Sequence, residues 1–330
     1  MMYFSSPLTP PKMSPAPEIS ITVFTPVYNR AGTLPRVWES LLAQTFRDFE
    51  WLIVDDGSTD ETPALAASYI QQAPFPVRYF RQENQHKKVA HNLAVREARG
   101  IVMLGLDSDD RCVPNALERL WWHWKNIPEA ERDQFSAVTV LCQDEDGQIV
   151  GDRFPGNPWI DSTSTEITYR HRVRGEKWGF HRLDVLRQFS FPSNVKGYVP
   201  ESYLWVQIDR SFKTRYVNEA LRIYYRDQGD SQITGMIRDP RPGANGAIVG
   251  TAPELCAAAR YFFFDPRGVG KLAANFVRLL FHSTFTLGEK LKFAWTEQSW
   301  PARFLIMLTA PIGLAAFLRD QLRHSGKPKR

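Results

Sequence analysis

The feature that most restricts the fold is an alternation running through residues 19–128. Short apolar runs are each followed by a segment with helical spacing. "ISITVFT" (19–25) is β-branched and apolar, and Leu34, Trp38, Leu41 and Leu42 then recur at helical intervals. "EWLIV" (50–54), "VRYFRQ" (77–82) and "IVMLGL" (101–106) repeat the strand pattern. Between them, Leu65, Tyr69 and Ile70 share a helical face, with Thr59 or Asp60 as its cap. Val89, Leu93 and residues 96–98 mark another helix, and Leu117, Leu120, Trp121 and Trp124 follow Pro114. Strands alternating with helices at this spacing predict βαβ units, hence an α/β fold with a mostly parallel sheet covered on both faces.

In such sheets ligands sit at the carboxyl ends of the strands. Two acidic groups fall there, Asp55-Asp56 and "DSDD" (107–110), so both are expected to face one crevice. No GxGxxG follows the first strand and no GxxxxGK[ST] is present, so backbone amides of that kind do not hold a phosphate. A divalent cation on carboxylates is the alternative, because hard cations prefer oxygen ligands. Asp107-Ser108-Asp109 suits that role. The same residues also suit a surface turn, with Asp110 capping the helix that begins near Pro114, and the residues alone leave both readings open.

Five stretches together carry more. "TPVYNR" (25–30), "SLLAQTF" (40–46), "IVDDGSTD" (53–60), "AHNLAVREARG" (90–100) and "LDSDD" (106–110) resemble the family 2 glycosyltransferases in order and spacing. "KWGFHRLDVL" (177–186) and "VPES" (199–202) resemble one branch of that family. The resemblance implies a GT-A fold. It also implies transfer of a sugar, with inversion, from a nucleotide-diphosphate donor, a UDP-sugar by preference, to a hydroxyl of a glycan, a lipid-linked or another acceptor. By the same resemblance Thr25, Pro26 and Tyr28 line the nucleoside pocket and Asp56 accepts a hydrogen bond from the base. An ionised carboxylate only accepts, which suits a base with N–H donors such as uracil. Asp55 is the structural member of that pair. Asp107 and Ser108 are placed near ribose and metal, and Asp109 as ligand of Mn²⁺ or Mg²⁺. Relatives carry Ala-Arg-Asn where this chain has Ala90-His91-Asn92, so the missing positive charge is assigned to Lys88, with Lys87 as its neighbour.

An inverting transfer needs a carboxylate base after the metal motif. Glu201 is the first choice, Asp209 the fallback and Asp184 weaker. Trp178, with Phe180, is expected at the sugar or acceptor cleft. Arg170, His171 and Arg172, on a strand-like segment, face the diphosphate or, more simply, solvent. A dehalogenase-type phosphatase would place DxD on the first strand, and a nucleotidyltransferase would carry a Gly-rich basic loop where this chain has "PVYNRAG". An inactive, nucleotide-sugar-binding or scaffold member of the family remains the alternative.

Beyond residue 134 the pattern weakens. "FSAVTVLCQ" (135–143) and residues 216–226 read as strands, and the chain looks helical from about 247. The expected division is a disordered Pro- and Ser-rich lead-in over 1–18 with no signal-peptide pattern, a catalytic domain over 19–230 split near 128, and a mainly helical extension over 231–330. The most apolar run, "FLIMLTAPIGLAAFL" (304–318), is flanked by Arg303 and Arg319 and interrupted by Pro311. It is shorter than the roughly 20 residues of a spanning helix. An interfacial membrane helix and a helix docked on the catalytic domain both fit it. The net charge of +5 over 330 residues suits anionic ligands or membranes. The basic residues are dispersed, which argues against nucleic acid. Cys112, Cys142 and Cys256 form no metal-binding pattern and read as free thiols of a cytoplasmic protein, soluble or peripheral on the membrane.

Overall fold

The computed structural model describes residues 19–195, 197–225 and 241–325. The lead-in expected over 1–18, residues 226–240 and the "KPKR" end lie outside the described residues. The structure is an α/β fold with C-terminal helices, as expected. Strands β1 (Ile19–Val27), β2 (Phe49–Asp55), β3 (Val77–Arg81) and β4 (Gly100–Gly105) are parallel neighbours in the order β3-β2-β1-β4. Beyond β4 the sheet continues through the antiparallel β8 (Lys177–Arg182) to β6 (Phe135–Gln143), β9 (Lys213–Ile223) and the short β5 (Arg111–Cys112). A further strand, β7 (Trp159–Ser162), pairs antiparallel with β9.

Side-chain alternation along the central strands builds two cores. Ile21, Val23, Trp51, Ile53, Val102 and Leu104 point to one face, against α1 (Leu34–Leu42), α2 (Thr62–Gln72) and α4 (Ala116–Lys125). Phe24, Leu52, Val54 and Met103 point to the other, against α3 (Lys87–Glu97) and α6 (Leu183–Leu186). Removing a large apolar side chain such as Leu52 from water contributes about 1.5–3 kcal/mol. One expectation for α2 is corrected. Thr62, Ala66 and Tyr69 form its buried face while Ile70 is 46% exposed. Tyr69 takes the inward position because it stacks on Trp38.

Helices α5 (Ser164–Tyr169) and α7 (Ser202–Ile208) lie between strands of the sheet's second half, and α8 (Ala244–Ala258) and α9 (Pro266–His282) follow it. The chain then continues into the short α10 (Leu287–Leu291) and the long α11 (Trp300–Ser325). Ile248, Leu255, Phe276 and Leu305 form a separate core among α8, α9 and α11. Pro311 does not interrupt α11, which runs unbroken through it. A mid-helix proline costs about 3 kcal/mol. Here it lies on the exposed side while Leu305, Ile306, Thr309 and Gly313 hold the opposite side against the protein.

Candidate active site

The carboxyl ends of β1 and β4 border a cleft of about 290 Å³ whose lining includes Pro26, Lys87, Asp107, Trp178, Glu201 and Arg222. Beside it, the loops after β1 and β2 are tied together. The Asn29 side chain accepts from the Thr59 amide at 2.8 Å, and the Arg30 amide donates to Thr62 Oγ1 at 2.9 Å. The two acids of that loop do different things. Asp55 is fully buried and accepts from the Ser58 amide (2.7 Å) and the Tyr79 hydroxyl (2.6 Å), so it holds the loop. Asp56 accepts from Gln82 Nε2 (2.7 Å) and the Gln85 amide (2.8 Å), both on Oδ1. Asp60 accepts from the Thr62 amide at the start of α2 and from the Ala31 amide, and Thr59 caps nothing there. Tyr28 is 36% exposed just past the end of β1. Thr25 is not in the cleft: its hydroxyl accepts from Trp51 Nε1 at 2.9 Å within the core, because β1 alternation turns Thr25 to the same face as Ile21 and Val23.

On the β4 side the acids after the strand separate sharply. Asp107 is held by two cations, Lys87 Nζ on Oδ1 at 2.7 Å and Arg222 Nη2 on Oδ2 at 3.0 Å. Burial alone would raise its pKa, but Lys87 and Arg222 hold it well below the usual carboxylate range. Asp110 is corrected from the expected helix cap. It is 1% exposed, pairs with Arg222 through Oδ2, and accepts from the Tyr225 amide through Oδ1 at 3.1 Å. Asn115 takes the position before α4 instead. Burial pushes Asp110 up to about 6 against the pull of Arg222. Ser108 is buried between these acids. Asp109 has no ion pair among the described residues. Burial and the neighbouring Asp107 push its pKa upward, against weaker pulls from Arg30 and Arg222.

The second cation, Arg222, was not anticipated. It sits in β9, far along the chain from the acids it neutralises, in a strand that also carries Lys213, Arg215 and Glu219, so no local sequence signal sets it apart. Lys87, not Lys88, reaches the cleft. Lys88 is 6% exposed and donates to the Val195 carbonyl, because the first turn of α3 directs it away from β4. Lys87 also pairs with Glu201 at 3.0 Å, and the two carboxylates hold its pKa up against burial. His91 lies one turn after Lys87. Burial pushes it down to about 4, and its Nδ1 has no partner among the described residues, so it brings no charge.

Glu201 stands at the start of α7, with its side chain about half exposed. The segment carrying it is clamped by α8. A side chain at Gly246 would come within 2.2 Å of the Tyr198 carbonyl, and one at Gly250 within 2.5 Å of Pro200. One turn on, Glu254 accepts from Ser202 Oγ at 2.8 Å and from the Tyr169 hydroxyl at 2.6 Å. The C-terminal helices therefore fix the backbone on either side of Glu201.

The remaining expected residues differ in their surroundings. Asp209 also lines the cleft, and its carboxylate accepts from the amides and hydroxyls of Ser164 and Thr165 at the start of α5. Asp184 pairs with Arg182. Phe180 is fully buried in the core, whereas Trp178 borders the cleft and donates its indole N–H to the Gly105 carbonyl at 2.5 Å. Residues 170–172 form no strand. They close the end of α5, where Arg170 pairs with Glu166 and Arg172 adopts a φ of 56°.

No group of three or more His, Cys, Asp or Glu side chains among the described residues forms a ready-made metal site. Of the acids after β4, Asp109 is the one with no ion pair among the described residues, and its carboxylate oxygens are of the kind a divalent cation prefers.

Residues 22–183 match the family described as Glycosyl transferase family 2. Over 195 residues the chain is 38% identical to an uncharacterized glycosyltransferase of Rickettsia felis, covering 58% of this chain and 30% of that protein. The chain thus spans less than a third of that relative's length. Among solved structures, S. aureus TarS 1–349 in complex with UDP-GlcNAc is similar with a TM-score of 0.64 at 15% identity, covering 94% of this chain and 93% of that one. Mannosyltransferase PcManGT from Pyrobaculum calidifontis, in complex with GDP-Man and Mn²⁺, is similar with a TM-score of 0.56 at 16% identity, covering 94% and 90%. At these identities the structural likeness carries the fold alone.

Proposed function

The chain belongs to glycosyl transferase family 2, with its GT-A fold, and we propose that it transfers a sugar, with inversion, from a UDP-sugar to an acceptor hydroxyl of a glycan or lipid-linked glycoconjugate. The observation that supports this reading most is the bridge Asp107–Lys87–Glu201, in which Asp107 and the half-exposed Glu201 line one cleft.

Tyr28 and Pro26 flank the nucleoside, and Asp56 accepts an N–H of the base on Oδ2, the oxygen that Gln82 and Gln85 do not use. Asp107 and Ser108 lie toward the ribose. Asp109 would hold Mn²⁺ or Mg²⁺, and the cation would supply Lewis-acid stabilisation of the leaving diphosphate. Lys87 adds positive charge beside that diphosphate, in the place where relatives use an arginine one turn later. Glu201, oriented by its ion pair with Lys87, takes the proton from the acceptor hydroxyl as that hydroxyl's oxygen bonds to the anomeric carbon. The bond from that carbon to the diphosphate breaks with its electron pair leaving on the diphosphate. Trp178 borders the sugar. The buried free thiols Cys112 and Cys142 suit a reducing, cytoplasmic setting.

The test is a donor screen with the full chain and Mn²⁺, measuring nucleotide release and binding for UDP-glucose, UDP-galactose, UDP-GlcNAc, UDP-GalNAc and GDP-mannose. Turnover or binding of a UDP-sugar is expected. If no donor is bound or turned over, the reading fails.

A further inference from the structure

Helix α11 exposes an apolar stripe that the catalytic cleft does not use. Trp300, Phe304, Met307, Leu308, Ile312 and Leu318 are between 49% and 75% exposed, and at 3.6 residues per turn they fall on one side of the helix. Residues this apolar are ordinarily buried, and a contiguous exposed patch marks an interaction surface. The stripe belongs to the helix's outer side. Its inner side is fixed by Ala302, Leu305, Ile306 and Gly313, and by buried Asp320, which pairs with Arg278 and His282 of α9. Only 28% of the most apolar window of this helix is buried, so it is not a core helix.

We propose that this stripe lies on an anionic lipid bilayer, with α11 in the plane of the interface rather than across it. By length and composition the 24 residues Trp300–Arg323 could cross a bilayer, but the uncharged stretch from 304 to 318 rises only roughly 22 Å as a helix, against about 30 Å of hydrocarbon. The attachment of α11 along α9 argues the same way, because a spanning helix would draw the Arg278–Asp320 pair into lipid. Charge selects the occupant. From residue 298 to 325 the charged residues are Arg303, Arg319, Arg323 and Asp320, and the acid is buried and paired. What the helix shows to its surroundings is therefore apolar and cationic, which matches anionic headgroups over acyl chains. It does not match a second copy of the same face, whose cations would meet each other. Trp300, and Trp295 just before it, are 75% and 48% exposed, and suit the headgroup boundary where indoles concentrate.

The experiment uses the full chain and sedimentation with vesicles of phosphatidylcholine, alone or with about one third phosphatidylglycerol. Wild type is expected to co-sediment with the anionic vesicles, at least about tenfold more weakly with phosphatidylcholine alone, and more weakly as salt rises. The double substitution Leu308→Asp and Ile312→Asp is expected to weaken anionic-vesicle binding at least about tenfold while leaving the thermal melt unchanged, since both positions face outward. Light scattering without lipid decides against the competing occupant. A wild-type dimer that this substitution converts to a monomer, with no vesicle binding by either form, would overturn the proposal. So would equal vesicle binding by wild type and variant. Because this readout needs no sugar donor, it stands or falls apart from the transferase reading.

Discussion

The acids at the end of β2 and the acids after β4, with β1 between the two strands, resemble each other in sequence, yet the protein treats them oppositely. Asp55 and Asp56 are satisfied by neutral donors: a backbone amide and a tyrosine for one, a glutamine and a backbone amide for the other. Asp107 and Asp110 are satisfied by Lys87 and Arg222, and Asp109 by neither. Neutral donors suit a carboxylate that recognises a neutral base. Cations are needed where several carboxylates crowd one buried spot, since removing a charge from water is costly unless it is paired. Pairing two of the three acids leaves the third as the one place where added positive charge is favoured.

The contrast can be broken most strongly at Arg222. Arg222→Met leaves Asp107 and Asp110 short of their shared cation and should cost about 3–5 kcal/mol, read as a large fall in the thermal melt. Adding Asp110→Asn should restore part of it. A melt that Arg222→Met does not move would show that the acids do not depend on it. At Glu201, the far end of the Lys87 bridge, Glu201→Gln should keep donor binding and lower the transfer rate by roughly 10²–10⁴, as for loss of a general base. Full activity in that variant would move the base elsewhere. On the neutral side the effects are smaller. Asp55→Asn weakens the grip on Ser58 and Tyr79 and should cost about 1–3 kcal/mol in denaturant unfolding. Gln82→Leu removes one of the two donors that orient Asp56 and should weaken UDP binding by a few-fold, about 0.5–1.5 kcal/mol, with the melt nearly unchanged. If Gln82→Leu were to affect stability as strongly as Arg222→Met, the distinction between the two acid groups would collapse.

The strands and helices through α4 were legible because periodicity reports burial directly, and β1, β2 and β4 are buried along most of their length. The acidic positions were legible as positions, but their separate tasks were not. Asp110 reads as a cap from its neighbours, and only the distant Arg222 makes it half of a buried ion pair. Lys87 and Lys88 are adjacent and chemically equal, so only the direction of the first turn of α3 tells that one reaches Asp107 and the other Val195. Thr25 fails for a related reason, since strand alternation sends it to the opposite face from Pro26. The clamp of α8 on residues 198–202 had no local signal either, because Gly246, Gly250 and Glu254 acquire meaning only against Tyr198, Pro200 and Ser202.

The most direct test is calorimetric titration of UDP, with GDP as second probe, into wild type and Asp109→Ala, each with and without Mn²⁺. The account predicts that wild type binds UDP tightly only with Mn²⁺, and that Asp109→Ala lowers that metal-dependent affinity about 100-fold while its melt stays near wild type. Mn²⁺-dependent binding of equal strength in both proteins would contradict it.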